Sequence, residues 1–92
     1  MDNKKITRIL FVCLGNICRS PAAEAMMRQL VERSGLADII DIDSAGTYGG
    51  HSGERSDPRM RRAAAARGIE MTHLARQVRE EDFERFDMVI AM

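Results

Sequence analysis

Residues 9 to 20 read Ile9-Leu10-Phe11-Val12-Cys13-Leu14-Gly15-Asn16-Ile17-Cys18-Arg19-Ser20, an apolar run that gives way to a short polar segment. Four consecutive apolar residues suit a strand buried on both faces, and Leu14-Gly15-Asn16 supplies turn chemistry where it stops. Ser20-Pro21-Ala22-Ala23-Glu24 then predicts a helix start, with Ser20 as cap, Pro21 at the first helical position and Glu24 as the acid of the first turn. A strand, a tight loop and a helix form one unit, and the rest of the chain is read outward from it.

On the C-terminal side, Ala23, Met26, Met27, Leu30, Val31 and Ser34 recur at the three-and-four spacing of one buried helix face, and Gly35 is placed to end the helix in a left-handed turn. The methionine pair reads as core packing. Ile39, Ile40 and Ile42 alternate in part with Asp41 and Asp43, which predicts a half-exposed second strand running into Ser44-Ala45-Gly46. Thr47 to Ser56 contains Gly49, Gly50 and Gly53 and reads as a mobile loop. Asp57-Pro58 opens a second helix that carries Met60 and the run Ala63 to Ala66, small enough to pack closely on a sheet, before a stop at Gly68. Glu80-Glu81-Asp82-Phe83 reads as the first turn of a short third helix, and Met88-Val89-Ile90-Ala91-Met92 as a third buried strand.

Strands alternating with helices predict an α/β fold, a three-layer doubly wound parallel sheet with right-handed crossovers. Ligands of such sheets sit beyond the carboxyl ends of the strands. Cys13 to Ser20 and Ser44 to Gly53 both fall at that edge.

Composition narrows the function classes. Ninety-two residues, 45% apolar and 30% charged, predict a single domain over 1–92 with a small core. Fourteen Lys plus Arg balance fourteen Asp plus Glu, so the net charge is zero and the footprint of a dedicated nucleic-acid or anionic-membrane binder is missing. All the cations except Lys4 and Lys5 are Arg, the forked donor suited to phosphate and carboxylate. No apolar run approaches the roughly 18 residues of a membrane span, and Met1 to Arg8 lacks a signal-peptide apolar region, so a cytoplasmic protein without membrane partners is expected. Cys13 and Cys18 are too few for a secreted disulfide framework or a zinc site, and no metal or cofactor is expected. Arg55, Arg59, Arg61, Arg62 and Arg67, offset by Glu54 and Asp57, read as a solvated helix face in preference to a docking surface.

Between strand end and helix start, the sequence places a thiol, five residues, an Arg and a hydroxyl, an order that favours a tetrahedral dianion as ligand. Successive loop N–H groups can turn inward, and the helix beginning there adds its unpaired N–H groups and positive dipole end. Cys13 at the base of that cradle is favoured as thiolate. Arg19 can grip two oxygens with its fork, and Ser20 can donate to the sulfur.

This stretch resembles the phosphate loop of the low-molecular-weight protein-tyrosine phosphatases, Cys, five residues, Arg and Ser or Thr. The likeness continues through Pro21, Ala22, Ala23 and Glu24, then Asp43-Ser44-Ala45-Gly46-Thr47, Asp57-Pro58-Arg59, His73 with Ala75-Arg76-Gln77, and Asp82-Phe83. The resemblance implies Cys13 as nucleophile, Arg19 as transition-state clamp and a phosphate loop of Leu14, Gly15, Asn16, Ile17, Cys18, Arg19 and Ser20. It implies that Asn16 is held in a strained conformation by side-chain hydrogen bonds with Ser20, Ser44 and His73. Cys18 has two readings: it packs beneath the loop, or, as in relatives that carry a second cysteine at this place, it traps the oxidised nucleophile as a disulfide, the favoured reading that makes it the redox partner of Cys13. Tyr48 and His51 fall in the loop that walls the substrate cleft, while an aromatic found there in some members has no counterpart at Gly50. The implied substrate is a phosphotyrosine protein or aryl phosphate, with inorganic phosphate or sulfate as ligand and no cofactor.

The family continues beyond the third strand with a fourth strand, a C-terminal helix and an Asp-Pro loop whose aspartate protonates the leaving phenolate. No acid here matches that aspartate, and Glu80, Glu81, Asp82, Glu84 and Asp87 are expected to face away from the site. The expectation is a truncated domain with three of four strands, impaired turnover, and Met88 to Met92 as an open edge suited to a homodimer or a swapped assembly. The alternative is a phosphate- or phosphotyrosine-binding fragment without efficient catalysis. Phosphoarginine phosphatases resemble this loop with Thr where Ile17 stands, and arsenate reductases need further redox cysteines, none of which follows Cys18.

Overall fold

The computed structural model describes residues 5–92. The apolar run extends by two residues before it and one after it into strand β1, Thr7–Cys13, followed by helix α1 (Arg19–Arg33), β2 (Ile40–Gly46), α2 (Pro58–Ala65), α3 (Glu80–Arg85) and β3 (Met88–Ala91). β1 lies between β2 and β3, and both pairings are parallel. Its register runs from Thr7 opposite Ile40 to Cys13 opposite Gly46 on one side, and from Ile9 opposite Met88 to Val12 opposite Ala91 on the other. Winding from β1 out to β2 and back across to β3 reverses the strand order at β1, so the carboxyl end of β1 is the topological switch point where doubly wound sheets bind ligands. The sheet is open, as the α/β reading requires, and Leu10, Val12, Ala45 and Phe86 form the buried cluster against which Val78 packs.

Helix stops follow the sequence. Gly35 and Gly68 both have positive φ, at 71° and 75°, the conformation that ends α1 and the turn after α2. Asp57 caps α2, its carboxylate accepting from the Met60 N–H at 3.0 Å, with Pro58 as the first helical residue. Among the described residues no helix is long and apolar enough to cross a membrane.

Four expectations need correction. The buried side of α1 is Ser20, Pro21, Glu24 and Val31, while Met26 and Leu30 stand 52% and 59% exposed. Residues 20, 24, 27 and 31 share a face at about 100° per residue. Ser20 and Glu24 are drawn inward by hydrogen-bond partners, and this turns the helix away from its own apolar stripe. The alanines of α2 do not pack closely on the sheet: Ala63, Ala65 and Ala66 are exposed, and α2 instead flanks α1 across a cleft of about 170 Å³ that Ala22, Met26, Met60 and Ala63 help to line. β3 is not a buried strand; Met88, Val89 and Ala91 are exposed because it has a neighbour on one side only. The loop from Thr47 to Ser56, read as mobile, is tethered: Thr47 N–H donates to the Cys13 carbonyl at 2.9 Å, Tyr48 N–H to Leu14 at 2.8 Å and Gly53 N–H to Ala75 at 2.7 Å.

Candidate active site

The chain leaves β1 at Cys13 and must turn into α1 within five residues, and the buried polar contacts of the turn define its shape. Asn16 is the one non-glycine residue with positive φ, 58°, among the described residues. A left-handed asparagine is tolerable because its short amide bonds locally. Here the amide bonds four ways: Nδ2 donates to Ser20 Oγ at 2.8 Å and to Ser44 Oγ at 3.0 Å, while Oδ1 faces His73 Nε2 at 2.7 Å and accepts from the Arg76 N–H at 2.9 Å. The Asn16 side chain is thus the hub that joins β2, the His73 segment and the start of α1.

A second layer supports the hub. Ser44 Oγ donates to Glu24 Oε1 at 2.7 Å, and His73 Nδ1 lies 3.1 Å from the same oxygen and 3.6 Å from Asp43 Oδ1. Asn16, Glu24 and Asp43 thus surround the His73 imidazole with side-chain oxygens. Arg28 pairs with Glu24 at 2.9 Å and also donates to the Ile42 carbonyl. Arg76 spans Asp43 at 3.1 Å and both oxygens of Asp82 at 3.0 Å, and Asp82 closes the N-terminus of α3 by accepting from the Arg79 N–H at 2.7 Å. Burial disfavours the Asp82 carboxylate, but the hydrogen bonds from Arg76 and Arg79 outweigh it and hold the carboxyl below its usual range. Burial likewise works against the Arg76 guanidinium, and its bonds and charges with Asp82 and Asp43 raise it nonetheless. Glu24, Asp43 and His73 bring ligand-type atoms within 4.8 Å of one another, a spacing that a metal ion could bridge. Each of the three is already engaged in holding the loop.

At the base of the loop, Cys13 Sγ lies 2.9 Å from Ser20 Oγ and accepts from the Asn16 N–H at 3.2 Å. Burial opposes its ionisation; the Ser20 hydroxyl, the N–H groups of Ser20 and Asn16 and the Arg19 charge overcome that and lower the thiol below its ordinary value. Ser20 is therefore not the helix cap expected of it. The cap position is Cys18, which makes no side-chain capping bond, because the serine hydroxyl is spent on the sulfur and on Asn16. Glu24 is not a first-turn acid either, since α1 begins at Arg19 and carries Glu24 inward to Ser44 and His73. Among the described residues, the N–H groups of Gly15, Ile17 and Cys18 meet no acceptor, and the exposed Arg19 makes no ion pair. Five loop residues, a free guanidinium and a helix start thus converge above one sulfur. Both cysteines are free thiols, Cys13 buried and Cys18 half-buried.

Two glycines shape the rim. A Cβ on Gly46 would meet the Leu14 carbonyl at 2.7 Å, so only glycine lets β2 end against the loop. At Gly50 any side chain would run into the Tyr48 ring, which occupies that space. Tyr48 meets His51 edge-to-face at 5.9 Å, and His51 lies over Gly15 and bonds Glu54 at 3.0 Å. The loop after β2 therefore brings an aromatic pair to the mouth although Gly50 carries none.

The structure brings together Cys13, Asn16, Arg19, Ser20, Ser44 and His73. Sequence reasoning missed Glu24, Asp43, Arg76 and Asp82 as parts of the support, and Asp82 does not face away but reaches the loop through Arg76. Their signal lay in the blocks Asp43-Ser44 and Ala75-Arg76-Gln77, whose polar residues had no stated partner.

The comparisons agree with this geometry. A family model described as low molecular weight phosphotyrosine protein phosphatase matches residues 8–92. The low molecular weight phosphotyrosine protein phosphatase of Schizosaccharomyces pombe is 51% identical over 89 residues, 96% of this chain and 57% of that protein. Among solved structures, YfkJ from Bacillus subtilis superposes with a TM-score of 0.95 at 44% identity, covering 99% of this chain and 58% of the other. Further off stands the Drosophila arginine phosphatase DARP, at a TM-score of 0.87 and 38% identity over 91% of this chain and 53% of that one. The chain spans a little over half the length of the relatives it matches. With a family model matching residues 8–92 and relatives 44% to 51% identical over nearly the whole chain, the chain belongs to the low molecular weight phosphotyrosine protein phosphatases.

Proposed function

We propose that the chain takes the phosphoryl group of a phosphotyrosine side chain or other aryl phosphate onto Cys13. The observation that carries this reading is the Cys13 sulfur, bonded by Ser20 and the Asn16 N–H at the base of a loop with unmatched N–H groups. The thiolate attacks phosphorus and the aryl oxide departs. The loop N–H groups not turned to the sulfur, those of Gly15, Ile17 and Cys18 among them, and the Arg19 fork stabilise the charge on the three equatorial oxygens. Ser20 donates to sulfur both as it attacks and, when water hydrolyses the phosphocysteine to inorganic phosphate, as it leaves. Asn16, Ser44 and His73 keep the loop formed before the anion arrives. Inorganic phosphate and sulfate are ligands of the same cradle. Ile17 and Tyr48 favour an aromatic substrate over phosphoarginine through apolar contact.

Leaving-group protonation is the weak step. Glu24 is engaged by Ser44, His73 and Arg28, Asp43 by Arg76, Asp57 by the Met60 N–H and Glu54 by His51, so among the described residues no acid near the loop is free to protonate an aryl oxide. Turnover is therefore impaired most where the leaving oxygen is basic. A general acid contributes about 10² to 10⁴ in rate, less for leaving groups that are already stable anions. Across substituted phenyl phosphates, steady-state rates should fall steeply as leaving-group pKa rises; a flat dependence in the chemical step would overturn the reading. Cys18, in the same loop, protects the nucleophile: peroxide converts the Cys13 thiolate to a sulfenic acid, and the Cys18 thiol displaces water from it to give the disulfide. Such chemistry suits a reducing cytoplasm. The exposed apolar edge of β3 supports a homodimer or a swapped assembly.

A further inference from the structure

A groove of about 310 Å³ is lined by the apolar Pro58, Ile69 and Met71 and by Arg55, Arg61 and Arg62. One backbone bond ties its margin to the phosphate loop: the residue before Pro58, Asp57, donates its N–H to the Ile17 carbonyl at 2.7 Å. Among the described residues, none of the three guanidinium groups forms an ion pair; Arg61 donates Nε to the Ser56 carbonyl at 2.9 Å, and Arg55 and Arg62 are exposed. A single acid, Glu70, lines the same groove, against three cations. Arg59 differs, standing 4.0 Å from Asp57 and outside the groove. The Arg cluster that reads as uniformly solvated in sequence is thus divided, with Arg55, Arg61 and Arg62 at one concave surface and Arg59 and Arg67 outside it.

We infer that this groove binds the acidic residues that flank the phosphorylated side chain in a substrate protein. The inference rests on the phosphoryl-transfer reading of Cys13 and adds to it the class of peptide recognised. A segment whose phosphoryl group enters the loop passes the rim at Ile17 and Asp57 and continues onto Pro58. There the Arg forks of Arg55 and Arg62 meet carboxylates bidentately, while the apolar lining takes the aliphatic parts of the chain. An electropositive patch beside an anion site also raises the rate of encounter with acidic partners.

Amide chemical shifts of the full chain separate the two readings. Inorganic phosphate is titrated first and should move the amides of Gly15, Ile17 and Cys18; if it does not, the phosphoryl reading fails and the groove inference falls with it. Two peptides of equal length bearing a phosphonomethyl-phenylalanine are then compared, one flanked by Asp and Glu and one by Ser and Asn. The acidic peptide should bind about fivefold more tightly at low salt, move Ile69 and Met71, and lose its advantage at about 0.5 M salt. Arg55→Glu with Arg62→Glu should remove the preference and leave phosphate affinity within about twofold. Equal affinity of the two peptides, with phosphate still moving the loop amides, would overturn the groove alone. So would charge reversal that weakens free phosphate as much as it weakens the acidic peptide.

Discussion

The loop after β1 and the strand β3 reverse the usual distribution of polar and apolar residues. Asn16, Ser20 and Ser44 are 1%, 0% and 0% exposed, whereas Met88 and Val89 are 50% and 39% exposed. Hydropathy alone would place them the other way round. Burial follows partners: each of the three polar side chains finds hydrogen-bonding groups on other segments, so withdrawal from water is compensated. β3 offers only apolar side chains and, among the described residues, pairs with a strand on one side only. One region is fixed by specific bonds, the other by a single sheet pairing, and the two should respond differently to mutation.

The hub should break hardest. Asn16→Ala strands the Ser44 and His73 partners and puts a Cβ-bearing residue without a local bond at φ 58°, so unfolding free energy should fall by about 3 kcal/mol and phosphate binding should be lost. Asn16→Gly relieves the backbone and not the network. If urea unfolding returned Asn16→Gly to the parent value, the hydrogen-bond hub would be irrelevant and the backbone conformation alone would matter.

A milder change tests the sulfur. Because Ser20 holds the Cys13 thiol below its ordinary value, the thiolate persists to lower pH than in a free cysteine, and alkylation by iodoacetamide should keep its rate on acidification. Ser20→Ala removes a lowering contribution, so the inflection of the alkylation profile should move to higher pH. Mass spectrometry of the Cys13 peptide separates it from Cys18. An unmoved inflection would mean that the N–H groups and Arg19 suffice.

The smallest effect is expected at the other region. Val89→Lys on the exposed edge should change stability by no more than about 0.5 kcal/mol while reducing self-association. Light scattering and urea unfolding of one sample decide it. A loss comparable to that of Asn16→Ala would show that β3 is covered in solution.

Much of this was legible in the chain. The run to Val12, the Asp57-Pro58 start of α2 and the glycine stops at Gly35 and Gly68 place β1, α1 and α2 in order and differ from the structure only at element ends, because turn chemistry and apolar runs act through neighbours in sequence. Ser20 was legible as a site residue and illegible as a cap: one hydroxyl cannot serve both the sulfur and the helix end, and the competition involves Asn16 and Ser44, the latter 24 positions away. The α1 face was misread for the same reason, since Glu24 inside and Leu30 outside obey bonds to Ser44 and His73 that no periodicity contains.

By itself the sequence determined the order of elements and the chemistry of the loop, thiol, guanidinium and hydroxyl at set offsets, since these depend on local conformation. Only the tertiary structure decided which acids support the site and which apolar residues face water. It joined Asp43, His73, Arg76 and Asp82 to Asn16 across 27 to 66 residues of chain and left Met26, Leu30 and Val89 exposed. Long-range hydrogen bonds pull polar groups in where acceptors and donors meet, and an edge has no such groups to offer until another surface meets it.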